Sequence, residues 1–362
     1  MNDEIRQPPS RIKGRGAASN VEGRFEAVRK QAEDDGWFRE SEEQRPPTQV
    51  TEERARSIIS HNDSPDIPFT SSINPYRGCE HGCIYCYARP SHGYLNLSAG
   101  LDFETKLFAK VNGAEQLRAE LAKPGYVVDP ITIGGNTDPY QPIEKQYGVT
   151  RGIIEVLAET GHPFNLITKG GALIERDIEL LADCARRRLV HCFVSVTSLD
   201  NQLSSRLEPR ASAPHRRIAA IRALVQAGVP CGVMVAPIIP MITDSDLEEI
   251  LELARAAGAR AAGYVLIRLP HEVKDLFREW LEIHFPQRAA HVMSLINQMR
   301  GGKDYDARFG TRMRGEGVFA QLIARRFTTA RARLGYDDEP PYTLDCTQFV
   351  APRKPSPQGE LF

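Results

Sequence analysis

Three of the chain's seven cysteines fall within eight residues, in the stretch CEHGCIYC at 79–86. Cys79, Cys83 and Cys86 follow the spacing C-x3-C-x2-C. Thiols this dense serve metal or redox chemistry more often than packing. The number three is the informative part. Structural zinc takes four protein ligands; His81 and His92 are the nearby candidates for a fourth, and neither has a standard finger spacing. An iron–sulfur cubane held by three thiolates leaves one iron without a protein ligand. A metal with an open position is a catalytic one, by the logic that separates catalytic from structural zinc.

The loop needs a frame to hold it. From about residue 70 the sequence repeats strand, loop and helix. Short apolar runs predict strands at SSINPY, ITIGG, FNLIT, HCFVSVTS, CGVMVAPII and AAGYVLI. Between them lie helical periods. In 215–227, Ile218, Ile221, Leu224 and Val225 share a face, and Gly228 and Pro230 stop the helix. In 245–257, Ser245 and Glu248 form a capping-box pattern before Leu247, Ile250, Leu251 and Ala254. About six such units imply a parallel sheet with helices outside: an α/β partial (β/α)6 TIM-type barrel, short of the eight units that close a full barrel. A doubly wound open sheet is the competing architecture. The cysteine loop follows the first strand, at the strand end where such sheets carry chemistry.

Three segments are expected: an irregular arm at 1–62, the barrel at 63–270, and a C-terminal helical extension and tail at 271–362. The arm is polar, with proline-rich QRPPTQ and NDSPDIP and punctuating Gly14, Gly16 and Gly23. It reads either as a loosely draped segment or as one that wraps the barrel or covers a site. In the extension, Val273, Leu276, Phe277, Trp280 and Leu281 form one helical face. After Pro286, Val292, Leu295, Ile296 and Met299 continue the pattern to Gly301 and Gly302.

Lys+Arg number 46 against 47 Asp+Glu, so the 362-residue chain as a whole is no electrostatic glove for nucleic acid. Residues 300–333 are the exception, with nine Lys/Arg and three Asp/Glu, readable as a solvated helix face or as a phosphate-facing patch. No apolar run is long enough to span a membrane and the N-terminus lacks an apolar signal region, so the expectation is a cytoplasmic protein without membrane contact. Scattered free cysteines fit a reducing compartment.

C-x3-C-x-aromatic-C, with Tyr85 as the aromatic residue, resembles the radical S-adenosylmethionine (SAM) superfamily. The resemblance implies a [4Fe–4S] cluster on Cys79, Cys83 and Cys86, SAM chelated to the open iron, and a 5′-deoxyadenosyl radical that takes hydrogen from a substrate. It also implies a reducing partner such as flavodoxin or ferredoxin. Gly134 and Gly135 in ITIGGNTDPYQPIE resemble the segment whose backbone meets the SAM amino group, with Asn136 beside them; a tight turn is the alternative reading. Lys169 ends the third strand, where a cation can meet the methionine carboxylate. Ser195 and Thr197 alternate on one strand face, toward the ribose or toward backbone partners. Glu208 and Arg210 in LEPRAS read as a clamp on ribose and carboxylate, or as a mutual surface ion pair. The two prolines of APIIP, 236–240, leave backbone groups for adenine.

The motifs CIYCYAR, DFETKLFAK, TDPYQPIE, LITKG and EPRAS further resemble the spore photoproduct lyase-related, DNA-repair-photolyase-like group, in an uncharacterised bacterial branch. That resemblance implies a hydrogen relay through Tyr85 and Tyr87. The group's hydrogen-donating cysteine, in the loop after strand two, is absent here; Asn136 stands near its place, and Cys346 in the tail is the substitute to examine. Three functions follow as expectations: a radical SAM enzyme acting on a base in DNA or RNA, one acting on a small molecule or peptide, or a non-catalytic, zinc-stabilised nucleic-acid-binding protein.

Overall fold

The computed structural model describes residues 11–21, 23–25 and 46–352. The parts of the arm at 1–10, 22 and 26–45, and the tail beyond 352, lie outside the described residues. Among the described residues ten strands form two sheets: β1 (Gln49–Glu53), β2 (Ile59–His61), β3 (Ser71–Ile73), β4 (Tyr76–Arg77), β5 (Lys106–Lys110), β6 (Ile131–Ile133), β7 (Phe164–Thr168), β8 (Val190–Val196), β9 (Cys231–Ile238) and β10 (Ala261–Leu266).

The larger sheet has the order β10-β9-β8-β7-β6-β3-β2. Its six strands β3 and β6–β10 are parallel, and β2 lies antiparallel on the β3 edge. Strand order follows chain order without reversal, so the array winds in one direction as a part-barrel and has no switch point of the doubly wound kind. β2 and β10 do not pair, so the barrel stays open. Its apolar runs are buried because helices cover the outer face: Ile131, Leu166, Val194, Val233 and Leu266 are all 0% exposed. Those helices include Val149–Thr160, Ile178–Arg186, Pro214–Gln226 and Leu247–Ala256.

Four strands go beyond the six predicted. SSINPY is not one strand: β3 stops at Ile73, and Asn74 and Pro75 turn the chain into β4, which joins a side sheet ordered β1-β5-β4. Pro75 has no N–H for a ladder, and the Asn74 side chain is taken by the amides of Asn136 (2.8 Å) and Thr137 (3.3 Å). The described part of the arm supplies β1 to the side sheet and β2 to the main one. The expected Ser245–Glu248 capping box does not form. Ser245 Oγ donates to Asp246 (2.9 Å) and Glu248 pairs with Arg326 (2.6 Å), while Asp246 is turned toward Ser198 (2.7 Å).

Beyond the barrel, helix Val273–His284 buries the predicted Val273, Leu276, Phe277, Trp280 and Leu281. The extended tail after helix Gly317–Arg333 runs past the amino ends of the parallel strands. Asp345 N–H donates to Arg188 O (2.9 Å), just before β8, and Val350 N–H to Thr160 O (2.9 Å), before β7. Among the described residues no helix is long and apolar enough to cross a membrane.

Candidate active site

The cysteine loop leaves β4 and lies at the carboxyl end of the parallel array. Cys79 and Cys83 are buried, Cys86 is half-buried, and none is in a disulfide. Cys79 and Cys86 pack with Ala88 and Phe103. Burial, then the Asp138 carboxylate and the neighbouring thiols, push the Cys79 thiol well up. Burial, then Glu208, push Cys83 to about 12, against the pull of Lys169. A metal cation that replaces the protons of Cys79 and Cys83 offsets what burial and the nearby carboxylates cost their thiolates.

Neither nearby histidine completes a zinc site. His81 Nδ1 lies 3.4 Å from Asp138, and His92 Nε2 donates to Lys106 O at 2.9 Å. Among the described residues no three His, Cys, Asp or Glu side chains converge on a single metal position. A four-iron cluster takes one thiolate per iron and does not need them to meet at a point.

Gly134 follows β6 with φ +93°, and a Cβ there would stand 2.4 Å from Ile167 O, so glycine is required by both conformation and space. Gly135 O accepts from the Tyr87 hydroxyl. Asn136 is exposed, with its N–H on Asn74. Asp138 ties this loop to its neighbours: it accepts from Thr168 Oγ1 (2.6 Å) and Lys169 N–H (2.7 Å), and lies beside His81. Burial alone would raise its pKa, but His81 and these donors hold it at about 2. The Lys169 ammonium sits 5.9 Å from the centre of the Tyr85 ring.

Glu208 and Arg210 do not pair with each other. Glu208 is buried against Arg217, Tyr85 and Thr197 Oγ1 (2.6 Å from the last). Burial opposes its charge, yet Arg217, Lys169 and these donors keep it at about 2. Arg210 instead reaches Glu80 at 3.0 Å and keeps an exposed guanidinium. Ser195 is buried on β8, and its carbonyl accepts from Arg217 (3.2 Å). Thr197 Oγ1 also contacts Ala236 O (3.0 Å), so the first APIIP carbonyl is already engaged.

The two tyrosines face different surroundings. Tyr85 is buried, its hydroxyl on Glu208 and 3.2 Å from Thr197, and its pKa is raised by burial, then Cys83 and Glu208. Tyr87 is 42% exposed and spans the mouth, from Gly135 O to the Arg268 guanidinium 4.8 Å from its ring centre. Burial of its hydroxyl and the Cys86 charge, against Arg268 and Arg312, place its pKa at about 12. Cys346 is exposed in the tail, beside Asp345 at the amino end of β8. A seven-residue strand spans roughly 20 Å, so this cysteine is at the wrong end of the barrel to return hydrogen at the cluster.

Five of the nine cations in the basic run at 300–333 are engaged within the fold, four of them by acids. Arg300 is buried on the carbonyls of Leu266, Ile267 and Thr311, while Arg308, Arg312, Arg326 and Arg331 pair with acids. Sequence reasoning missed Arg217, Arg89, Glu104 and Asp138. Only Asp138, an acid before proline in a glycine-rich loop, carried a local signal, and that signal read as a turn.

The radical SAM superfamily model matches residues 73–254, about half of the chain. An uncharacterised protein of Mycobacterium tuberculosis is 38% identical over 234 residues, 64% of this chain and 68% of that one. An uncharacterised protein of Methanocaldococcus jannaschii is 27% identical over 172 residues, covering 48% and 61%. Among solved structures, spore photoproduct lyase complexed with dinucleoside spore photoproduct superposes with TM-score 0.55 over 79% of each chain, at 17% identity, a likeness of fold. The matched region begins at the last residue of β3 and takes in the cysteine loop and the glycine turn after β6, so the chain belongs to the radical SAM superfamily and is an enzyme of it.

Proposed function

We propose that Cys79, Cys83 and Cys86 hold a [4Fe–4S] cluster, that SAM binds beside it, and that the enzyme acts on a base of DNA or RNA. The observation that carries the cofactor reading is the placement of three free thiols in the loop at the carboxyl end of the parallel strands, while among the described residues no three His, Cys, Asp or Glu side chains converge on a single metal position. When bound, the cluster and SAM supply one-electron cleavage of a sulfonium bond and a hydrogen-abstracting radical.

The chain's residues then divide the work. The Gly134–Asn136 backbone receives the SAM amino group; Lys169 and Arg210 meet its carboxylate. Ser195 and Thr197 line the ribose side, and Glu208 fixes Thr197 and Tyr85 rather than reaching outward. Tyr85, enclosed by Glu208 and Lys169, and Tyr87, at the mouth, are the candidates for hydrogen return. A flavodoxin- or ferredoxin-type partner supplies the electron.

A base is favoured by Tyr87 and Arg268. They offer a half-exposed aromatic face and a guanidinium whose Nε is buried and unpartnered among the described residues. An aromatic base on a phosphate backbone suits both groups. The neighbour of similar fold was solved with a dinucleoside ligand. A small-molecule substrate is the second reading. It is favoured by a cavity of about 280 Å³ lined by Asn74, Lys110, Asn136 and Thr137, close to the lower size limit of ligand pockets.

Anaerobic reconstitution with iron analysis, then incubation with reductant and SAM, tests the reading through 5′-deoxyadenosine release. About four irons per chain and acceleration by single-stranded DNA or RNA are expected. Stoichiometric zinc in place of iron rejects the cofactor assignment. Acceleration only by a small-molecule extract rejects the nucleic-acid substrate.

A further inference from the structure

The arm has a seat on the back of the cysteine loop. Glu104 is 0% exposed, and its carboxylate accepts from Gly16 N–H and Ala17 N–H, each at 2.9 Å. The same carboxylate pairs with Arg89 at 2.5 Å, whose guanidinium also holds the carbonyls of Gly82 (3.1 Å) and Cys83 (2.8 Å) between the cluster cysteines. Gly16 presses on that loop so closely that a Cβ would stand 1.8 Å from Gly82 O. A fully buried carboxylate must be matched by donors, so the two arm amides and Arg89 together hold Glu104 in place.

A second line leaves the same seat. Buried Arg15 donates to Glu104 O (3.0 Å) and to Thr48 Oγ1 (3.1 Å). Thr48 Oγ1 donates to Glu80 (2.5 Å), and Glu80 holds Arg210 at 3.0 Å. Glu80 directly follows Cys79 and is buried, so it has little freedom of its own. An exposed arginine is thus oriented by a buried chain that starts in the arm.

We propose that residues 15–17 form a cap that closes the cysteine loop and, through Thr48 and Glu80, positions Arg210 toward the SAM carboxylate. The inference rests on the reading of Arg210 as a SAM contact. It gives the arm a role in cofactor retention and affinity, exerted through other residues; Arg15 and Thr48 are positioning residues.

Two sets of variants test it, with iron content, cluster lifetime in air and equilibrium SAM binding as readouts. Gly16→Val and a deletion of residues 1–20 unseat the cap, and are expected to shorten the cluster's lifetime in air about tenfold or more. Wild-type lifetimes in both overturn the cap. So does loss of the barrel's far-ultraviolet circular dichroism in both, because the arm is then a folding element. Thr48→Val removes the relay hydroxyl but leaves the Gly16 and Ala17 amides on Glu104, and Arg15 on the carbonyls of Glu104 and Pro46. It is expected to weaken SAM binding about three- to tenfold at unchanged iron content, and Thr48→Ser to restore it. SAM binding that is unchanged in Thr48→Val but weakened in Arg210→Gln overturns the relay while sparing the Arg210 reading. Unchanged binding in Arg210→Gln overturns that reading and the relay with it.

Discussion

Glu208 and Arg217 form an ion pair with both side chains 0% exposed, joining the end of one helix to the first turns of the next beneath the candidate SAM site. The guanidinium also donates to Ser212 O (2.6 Å) and Ser195 O (3.2 Å), and the carboxylate also receives Tyr85 and Thr197. Every polar atom has a partner, which is the condition under which a buried pair is tolerated.

Removing one partner leaves an unmatched buried charge. Arg217→Met is therefore expected to cost about 3–5 kcal/mol in urea unfolding of the cluster-free chain. Arg217→Met with Glu208→Gln together should recover part of that loss, since the double variant has no charge to strand. A cost in Arg217→Met below about 1 kcal/mol would mean that water reaches the pair.

The cysteines divide by position. Cys83→Ala leaves two thiolates and is expected to abolish cluster assembly, seen as loss of bound iron and of visible absorbance. Cys192→Ala and Cys346→Ala should retain both, because Cys192 is a packed core thiol and Cys346 lies at the opposite end of the barrel. Iron content in Cys83→Ala equal to wild type would remove the loop from consideration as the cluster site.

What could be read from the chain beforehand was local. The strands β6–β10 declare themselves as apolar runs between helical periods, and the cysteine spacing is short enough to be a motif on its own. What could not be read joins residues far apart in the chain. Glu104 sits in a charged stretch, DFETK, that looks like surface, and two of its three donors are 87 and 88 residues away. Arg217 is one of two adjacent arginines in a helix; only packing decides that it, rather than Arg216, turns inward to Glu208. The basic run at 300–333 is only partly legible for the converse reason: composition counts its cations but not that Arg312 and Arg326 meet acids far away in the chain, Asp66 and Glu248. The side sheet escaped notice because two-residue β4 is too brief to leave a period, and β1 and β5 lie in charged stretches, QVTEE and KLFAK.

Asp66 and Arg312 bridge the open side of the barrel. Asp66 lies in the turn between β2 and β3, at one edge; Arg312 lies in a segment packed on β10, at the other. Their contact is two-pronged, 2.7 and 2.5 Å, with Gly310 N–H on the same carboxylate at 3.1 Å. Asp66→Asn removes the charge from a pair that is mostly sheltered from water. Trypsin cleavage within 303–314 is expected to quicken several-fold, with a loss of about 1–3 kcal/mol in stability. Unchanged cleavage would show that packing against β10 alone holds the segment.

His191 gives the fold an acid limit. It lies on β8 inside the open barrel, against Phe193 (ring centres 4.4 Å apart) and Tyr342 of the tail (5.3 Å). Burial lowers its pKa to about 4, from 6.5. Between those values the unfolded chain binds the proton and the folded chain does not, so stability is fully present above about pH 6.5 and falls as pH drops toward 4. The loss is at most ~3 kcal/mol for this one group. His284, also lowered to about 4 by burial, acts with the same sign, so the effect of His191 is isolated by difference. His191→Phe keeps an aromatic ring between Phe193 and Tyr342 and has no proton to bind. Thermal unfolding of the cluster-free chains from pH 7.5 to 4.5 should show a shallower decline in the variant, with the two curves converging in slope above pH 6.5. Parallel curves throughout would place His191 in contact with water and assign the acid limit to other groups.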